Sequence, residues 1–128
     1  MIMKKRISLY VMCALYLLAG INHFRNPEGY YKIIPPWIGN VELVNTAAGI
    51  AEILLALLLI FNKTRRWACY GIIAMLLAFL PAHVYMLQTG FCPEIAGVKK
   101  CAPEWALWMR LLLFQPLLIW WAWTNRNK

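Results

Sequence analysis

The sequence predicts an all-α fold: a transmembrane four-helix bundle, up-down-up-down, with both termini cytoplasmic. Three observations lead there. Hydrophobic residues make up 62% of the 128 residues and charged residues only 14%, which would cover a soluble domain of this size in Leu, Ile and Trp. Four apolar stretches are each close to the roughly 20 residues that cross a bilayer as a helix. Basic residues gather on alternate connections, as the positive-inside rule requires of a multi-pass chain. The length leaves room for one domain, residues 1–128.

The first span, residues 7–24, follows Lys4, Lys5 and Arg6. A basic start before a short apolar run also describes a signal peptide, but no A-x-A site and no lipobox Cys follows, so a retained signal-anchor helix is expected. The other spans are residues 43–61, 67–87 and 105–123. The two termini and the turn at residues 62–66 carry Lys4, Lys5, Arg6, Lys63, Arg65, Arg66, Arg126 and Lys128 and no acid. The other two loops balance Arg25, Lys32, Lys99 and Lys100 against Glu28, Glu42, Glu94 and Glu104. Glu52 and Arg110 cancel, so the net charge of +8 lies wholly on the cytoplasmic rim. That balance reads as topology, or at most as attraction to anionic membrane lipid, and nucleic acid is not expected as a partner. The cell inner membrane is the expected location, and a homo-oligomer stays open.

Trp67, Trp105, Trp108, Trp120, Trp121 and Trp123 cluster near span ends, where amphipathic rings anchor at headgroup level. Trp108 is also a candidate to stack on a ligand. Between the first two spans, residues 26–40 carry Pro27, Pro35, Pro36, Gly29 and Gly39, which forbid one continuous helix. Tyr30, Tyr31, Ile33, Ile34 and Trp37 make this loop too apolar to stand free in water. A short interfacial helix and a Pro-fixed turn over the outer end of the bundle are expected.

Glu52 is the only charge in the second span, and a charge at the bilayer midplane costs at least about 3 kcal/mol unless paired or protonated. Cα–Cβ bonds lean toward a helix's N-terminus, so Glu52 leans outward and His83, near the outer end of the third span, leans inward. Glu52–His83 is therefore the expected central pair, with Arg110 and His23 closing the site from above. Asn45 and Gly49 share the face of Glu52, and Cys13, Tyr16, Gly20 and His23 form a matching face on the first helix. Pro81 should kink the third helix and free a carbonyl near His83. Together these residues describe an outward-facing polar pocket. Asn45 and Gln115 are further ligand-binding candidates that also suit plain interhelical hydrogen bonds. A bis-His haem on His23 and His83 meets crowding by Phe24, Phe79 and Tyr85. A metal on His23, His83 and Glu52 lacks any supporting spacing, so no metal is expected.

Cys13 and Cys69 fall inside helices, where Cys acts as a small apolar residue. Cys92 and Cys101 bracket the outer loop CPEIAGVKKC on the oxidising side and are read as a disulfide staple. A redox-active pair stays open, because Lys99 and Lys100 favour a thiolate at Cys101. There is no Asp in the chain, no Gly-rich phosphate loop and no Ser/His/Asp arrangement.

The segments AGINHFRNPEGYYKIIPPWI (residues 19–38), VNTAAGIAEILLALLLI (44–60), LPAHVYML (80–87) and RLLLFQPLLIWWAW (110–123) resemble the DoxX-like family of small four-helix membrane proteins, DoxX/MauE-type. The specific parts are a G-x-x-H-F-x-x-P turn, the Glu of the second helix and R-x-x-x-x-Q in the fourth, which point to His23, Pro27, Glu52, His83, Arg110 and Gln115. DoxX relatives include a subunit of an archaeal thiosulfate:quinone oxidoreductase and partners of secreted redox enzymes, and the MauE type is linked to disulfide formation. The resemblance implies a redox-associated subunit binding a quinone-like or small polar ligand and working with a redox partner protein. Glu52 and His83 would exchange a proton while Arg110 and His23 hydrogen-bond the ligand's oxygens. Three alternatives stay open: a thiol/disulfide oxidoreductase using Cys92 and Cys101, a non-catalytic membrane assembly or scaffold subunit, and a small transporter, for which four helices leave little room unless the chain dimerises.

Overall fold

The computed structural model describes residues 2–92, 94–95 and 97–127, with side chains at neither 2–5 nor 94–95. Lys128 and the side chains of Lys4, Lys5 and Glu94 thus lie outside the described residues. In chain order the elements are α1 (Ile2–Arg25), α2 (Pro27–Tyr31), a 3-10 turn (Pro36–Ile38), α3 (Val41–Ile60), α4 (Arg65–Ala78) and α5 (Leu80–Thr89). A two-residue antiparallel pair, β1 (Glu94–Ile95) with β2 (Val98–Lys99), precedes α6 (Glu104–Met109), a π-helical segment (Arg110–Phe114) and α7 (Gln115–Asn125). Four helical units are long and apolar enough to cross a membrane: Arg6–Arg25, Val41–Ile60, Arg65–Thr89 and Glu104–Asn125.

The helix ends follow from local chemistry. Asn40 caps α3, its side-chain oxygen accepting from the Glu42 and Leu43 N–H groups at 3.1 and 3.2 Å, a contact worth about 1 kcal/mol. At the other end of α3, the last carbonyls would lack partners. Thr64 Oγ1 donates to Leu58 O at 2.7 Å, and Arg65 donates to Leu59 O and Ile60 O at 2.9 and 3.1 Å. The α4–α5 break falls at Phe79, where Pro81 supplies no N–H and its ring opposes the preceding turn. Pro116 acts similarly in the last unit, but there the chain absorbs it as the π-helical segment just before α7.

Leu9, Met12, Tyr16, Ala56, Leu59, Ala68, Cys69, Ile72 and Leu76 form the core. α1 and α3 pack tightly against each other at two glycines. A Cβ on Gly20 would lie 2.7 Å from Ile53 Cγ1 and 3.0 Å from the Gly49 carbonyl oxygen, and one on Gly49 would lie 2.9 Å from His23 Cβ. Such small-residue contacts let helix backbones pack tightly without a hydrophobic driving force. The outer surface is apolar, with Leu18, Leu43 and Leu112 each 66% exposed, the reverse of a water-facing bundle.

Candidate functional site

The close contact of α1 and α3 builds the first wall of the site. His23 lies one turn after Gly20 and Glu52 one turn after Gly49, so the glycine contact carries both side chains inward. His23 Nε2 lies 3.3 Å from Glu52 Oε2, both side chains being buried. The other ring nitrogen, Nδ1, pairs with Asn45 Oδ1 at 2.6 Å, and Asn45 Nδ2 donates back to the His23 carbonyl at 2.9 Å. Asn45 therefore clamps both the ring and the backbone of His23. Pro27 then starts α2, which folds Tyr30 over the imidazole, with ring centroids 3.8 Å apart. Asn22 Nδ2 donates to Tyr30 Oη at 2.9 Å, leaving the hydroxyl hydrogen free to point elsewhere. Burial raises the Tyr30 hydroxyl above its ordinary pKa, partly offset by the Asn22 amide, so it stays a protonated donor at neutral pH.

The second wall comes from α5 and the π-helical segment. His83 sits on the first turn of α5, buried. Arg110 opens the π segment and donates from Nη1 to Gln115 Oε1 at 2.6 Å, while Gln115 Nε2 donates to the Leu76 carbonyl near the α4–α5 break. Residues five apart meet here because the π turn is wider than an α turn. Gln115 thus holds the Arg110 guanidinium and ties the last unit to α4.

Between the walls lies a cavity of 240 Å³, whose polar lining is His23, Tyr30, Glu52, His83 and Arg110. Ile33, Ile34, Pro35 and Ile38 of the Pro-rich loop close one side, as expected of that loop. Two buried polar atoms on the lining, Glu52 Oε2 and His83 Nδ1, have no hydrogen-bond partner among the described residues, and the buried Tyr16 Oη shares that state. Glu52 Oε2 is close to His23 Nε2 but not in hydrogen-bonding geometry. Tyr16 lies within electrostatic reach of Glu52 and Arg110. Each such orphan costs about 1–3 kcal/mol, and buried polar groups are otherwise almost always satisfied.

Four expected site residues therefore share one cavity: Glu52, His83, His23 and Arg110. Their pairing differs from the expectation, since the contact partner of Glu52 is His23 and not His83. Side-chain lean along the helices favours His83, but the glycine contact puts His23 against α3 first, and His83 stays on the opposite wall. Asn45 and Gln115, candidates for ligand contact, spend their polar atoms on His23, Arg110 and backbone, so they position other residues. Trp108 is 46% exposed, and its indole N–H meets Glu104 Oε1 one turn back at 3.5 Å; it is not part of the lining. That outward placement suits an interfacial ring. Cys92 and Cys101 are disulfide-bonded, and neither lines the cavity. Tyr30 joins the lining without a sequence expectation, whereas Tyr16, expected on the pocket face of the first helix, is buried outside the lining. An aromatic residue three positions after the H-F-x-x-P turn is the signal that points to Tyr30. No three His, Cys, Asp or Glu side chains are grouped to hold a metal among the described residues.

Residues 12–126 match the family model described as domain of unknown function DUF8561, and the chain belongs to that family. No curated protein and no solved structure matches it.

Proposed function

We propose that this DUF8561 protein is a multi-pass protein of the cell inner membrane, in which the cavity binds the headgroup of a small, neutral, quinone-like ligand as part of a redox-associated complex. The observation that carries the reading is that two buried atoms on one lining make no hydrogen bond among the described residues: His83 Nδ1, and Glu52 Oε2, whose polar contact is the ion pair with His23. The two walls bear polar groups that face a shared space: His23, Tyr30 and Glu52 on one, His83 and Arg110 on the other. A ring with two carbonyl oxygens needs donors on both sides, and Tyr30 and Arg110 supply them. One carboxylate and one guanidinium leave the cavity close to neutral, which favours an uncharged headgroup. At 240 Å³ the space is below the roughly 300–1,000 Å³ of drug-sized sites, so it takes one ring and not a whole lipid.

In this reading Glu52 and His23 hold and pass a proton, Arg110 and His83 orient the ligand, and Asn45 and Gln115 keep those groups aimed. Electrons come from a partner protein. Bis-His haem ligation finds little support, because the two nitrogens of His23 face Asn45 and Glu52. The up-down-up-down path is supported by Cys13 Sγ meeting Ala56 O at 3.1 Å while His23 meets Asn45, which sets α1 and α3 antiparallel. The rim charge supports cytoplasmic termini. The DoxX-like resemblance belongs to the same proposal. A thiol mechanism is the second reading, favoured only by the Cys92–Cys101 bond.

Solvent extraction of protein purified in mild detergent, followed by mass spectrometry, tests the proposal. Stoichiometric quinone that is lost from the Arg110→Gln variant supports it. A saturating addition of short-tailed quinone that leaves intrinsic fluorescence and thermal stability unmoved would overturn it.

A further inference from the structure

We propose a second site at the opposite end of the bundle: a seat for one anionic phospholipid, headgroup in a basic cleft and acyl chain in the adjoining groove. The inference rests on the membrane reading above but not on the quinone one. The cleft occupies 700 Å³ where the α3–α4 turn meets the C-terminus, and Lys63, Arg65, Arg66, Trp67, Arg126 and Asn127 line it. The sequence holds no acidic residue in α1, between Glu52 and Glu94, or after Glu104, so no acidic side chain belongs to this end.

Among the described residues, Arg66 and Arg126 are held by neutral groups, which orient them. Arg65 is anchored on the carbonyls of Leu59 and Ile60 and on Asn62 Oδ1 at 2.7 Å. Arg66 donates to Asn127 Oδ1 at 2.8 Å, linking the turn to the C-terminus. Arg126 lies 3.6 Å above the Trp123 ring and donates to the Trp123 carbonyl at 2.6 Å. A guanidinium has five donors, so Arg66 and Arg126 retain N–H groups for a phosphate after these contacts.

Continuity with an apolar groove selects a lipid over free phosphate. Trp67 and Arg126, on the cleft, stand one helical turn from Tyr70 and Trp123, on a groove between α4 and α7. That groove occupies 590 Å³ and is otherwise lined by Ile73, Ile119 and Trp120 among others. Trp67, Tyr70 and Trp123 form an unbroken run of ring contacts across the junction, with centroids 6.1 and 6.3 Å apart. A basic pocket leading into an apolar trough is the shape of an anionic lipid, and basic pockets between helices on the cytoplasmic side take such headgroups.

Native mass spectrometry of the full chain, titrated with phosphatidylglycerol or phosphatidylcholine of equal chain length, tests this. Phosphatidylglycerol should bind first and at one copy per chain. At about 1 kcal/mol per basic residue near a surface, Arg66→Gln with Arg126→Gln should weaken it roughly thirtyfold, whereas Arg25→Gln with Lys32→Gln at the other end should not. Lys63→Gln, at an exposed side chain, should weaken it several-fold and serves if the double variant does not fold. Ile119→Trp, which fills the groove, should weaken long-chain lipid and spare glycerophosphate. Equal retention of the two lipids, equal loss from the variants at the two ends, or displacement by equimolar inorganic phosphate would overturn the proposal. Quinone titration of the same variants should be unchanged, which separates failure here from failure at the cavity.

Discussion

Gly20→Ala should loosen the α1–α3 contact on which the cavity depends. The new Cβ would lie 2.7 Å from Ile53 Cγ1, 3.0 Å from the Gly49 carbonyl oxygen and 3.0 Å from the Ile53 nitrogen. The Ile53 side chain can rotate away, but the two backbone atoms cannot. Backbone contacts this tight require the helices to part by a few tenths of an ångström. Overpacking of this kind costs about 1–3 kcal/mol; the backbone contacts place it at the upper end. Replacing a helical Gly by Ala returns about 1 kcal/mol of intrinsic propensity, which leaves a net loss of about 2 kcal/mol. The same displacement would stretch the 3.3 Å His23–Glu52 contact toward the limit of an ion pair. Thermal unfolding in detergent by circular dichroism measures the loss, with Gly29→Ala as the control, because a Cβ there meets nothing nearer than 3.6 Å. A Gly20→Ala protein as stable as the parent, with ligand binding intact, would refute the assignment of this contact as the frame of the site.

Three other substitutions separate the roles of the neighbouring residues. Asn45→Ala removes both bonds to His23 and should lower stability by about 1–3 kcal/mol; nuclear magnetic resonance of the imidazole should show a reoriented ring. Cys92→Ser with Cys101→Ser opens a loop closed over a sequence separation of 9 residues, and should cost about 2–3 kcal/mol on the loop-entropy relation while ligand affinity stays unchanged. A loss of affinity in that variant would favour the thiol reading. Trp108→Ala should leave affinity within error in a fluorescence titration, since its ring faces away from the cavity.

The four spans were legible because bilayer length and hydropathy are coarse, redundant signals: residues 43–61 against α3 at Val41–Ile60, and 105–123 against a unit ending at Asn125. The kink was legible for a local reason, the missing N–H of Pro81. Pairing inside the bundle was not. Side-chain lean depends only on helix direction, whereas the choice between His23 and His83 depends on how closely two helices approach. The signal for that approach is present in the matched spacings Gly20-x-x-His23 and Gly49-x-x-Glu52. The π-helical segment was equally hidden, although Arg110 and Gln115, five apart, meet only on a widened turn, and Pro116 is what favours one.

The claim at the centre of this account is that Glu52 and Arg110 serve a ligand in the cavity and not merely the packing of helices. Equilibrium titration of the detergent-purified protein with a short-tailed quinone tests it most directly, comparing the parent with Glu52→Gln and Arg110→Gln. The account predicts saturable binding at one site per chain, weakened at least about tenfold in each variant, one charge-assisted hydrogen bond being worth about 1.5–3 kcal/mol. Thermal stability should change much less than affinity. No saturable binding by the parent, or equal binding by all three proteins, would contradict it.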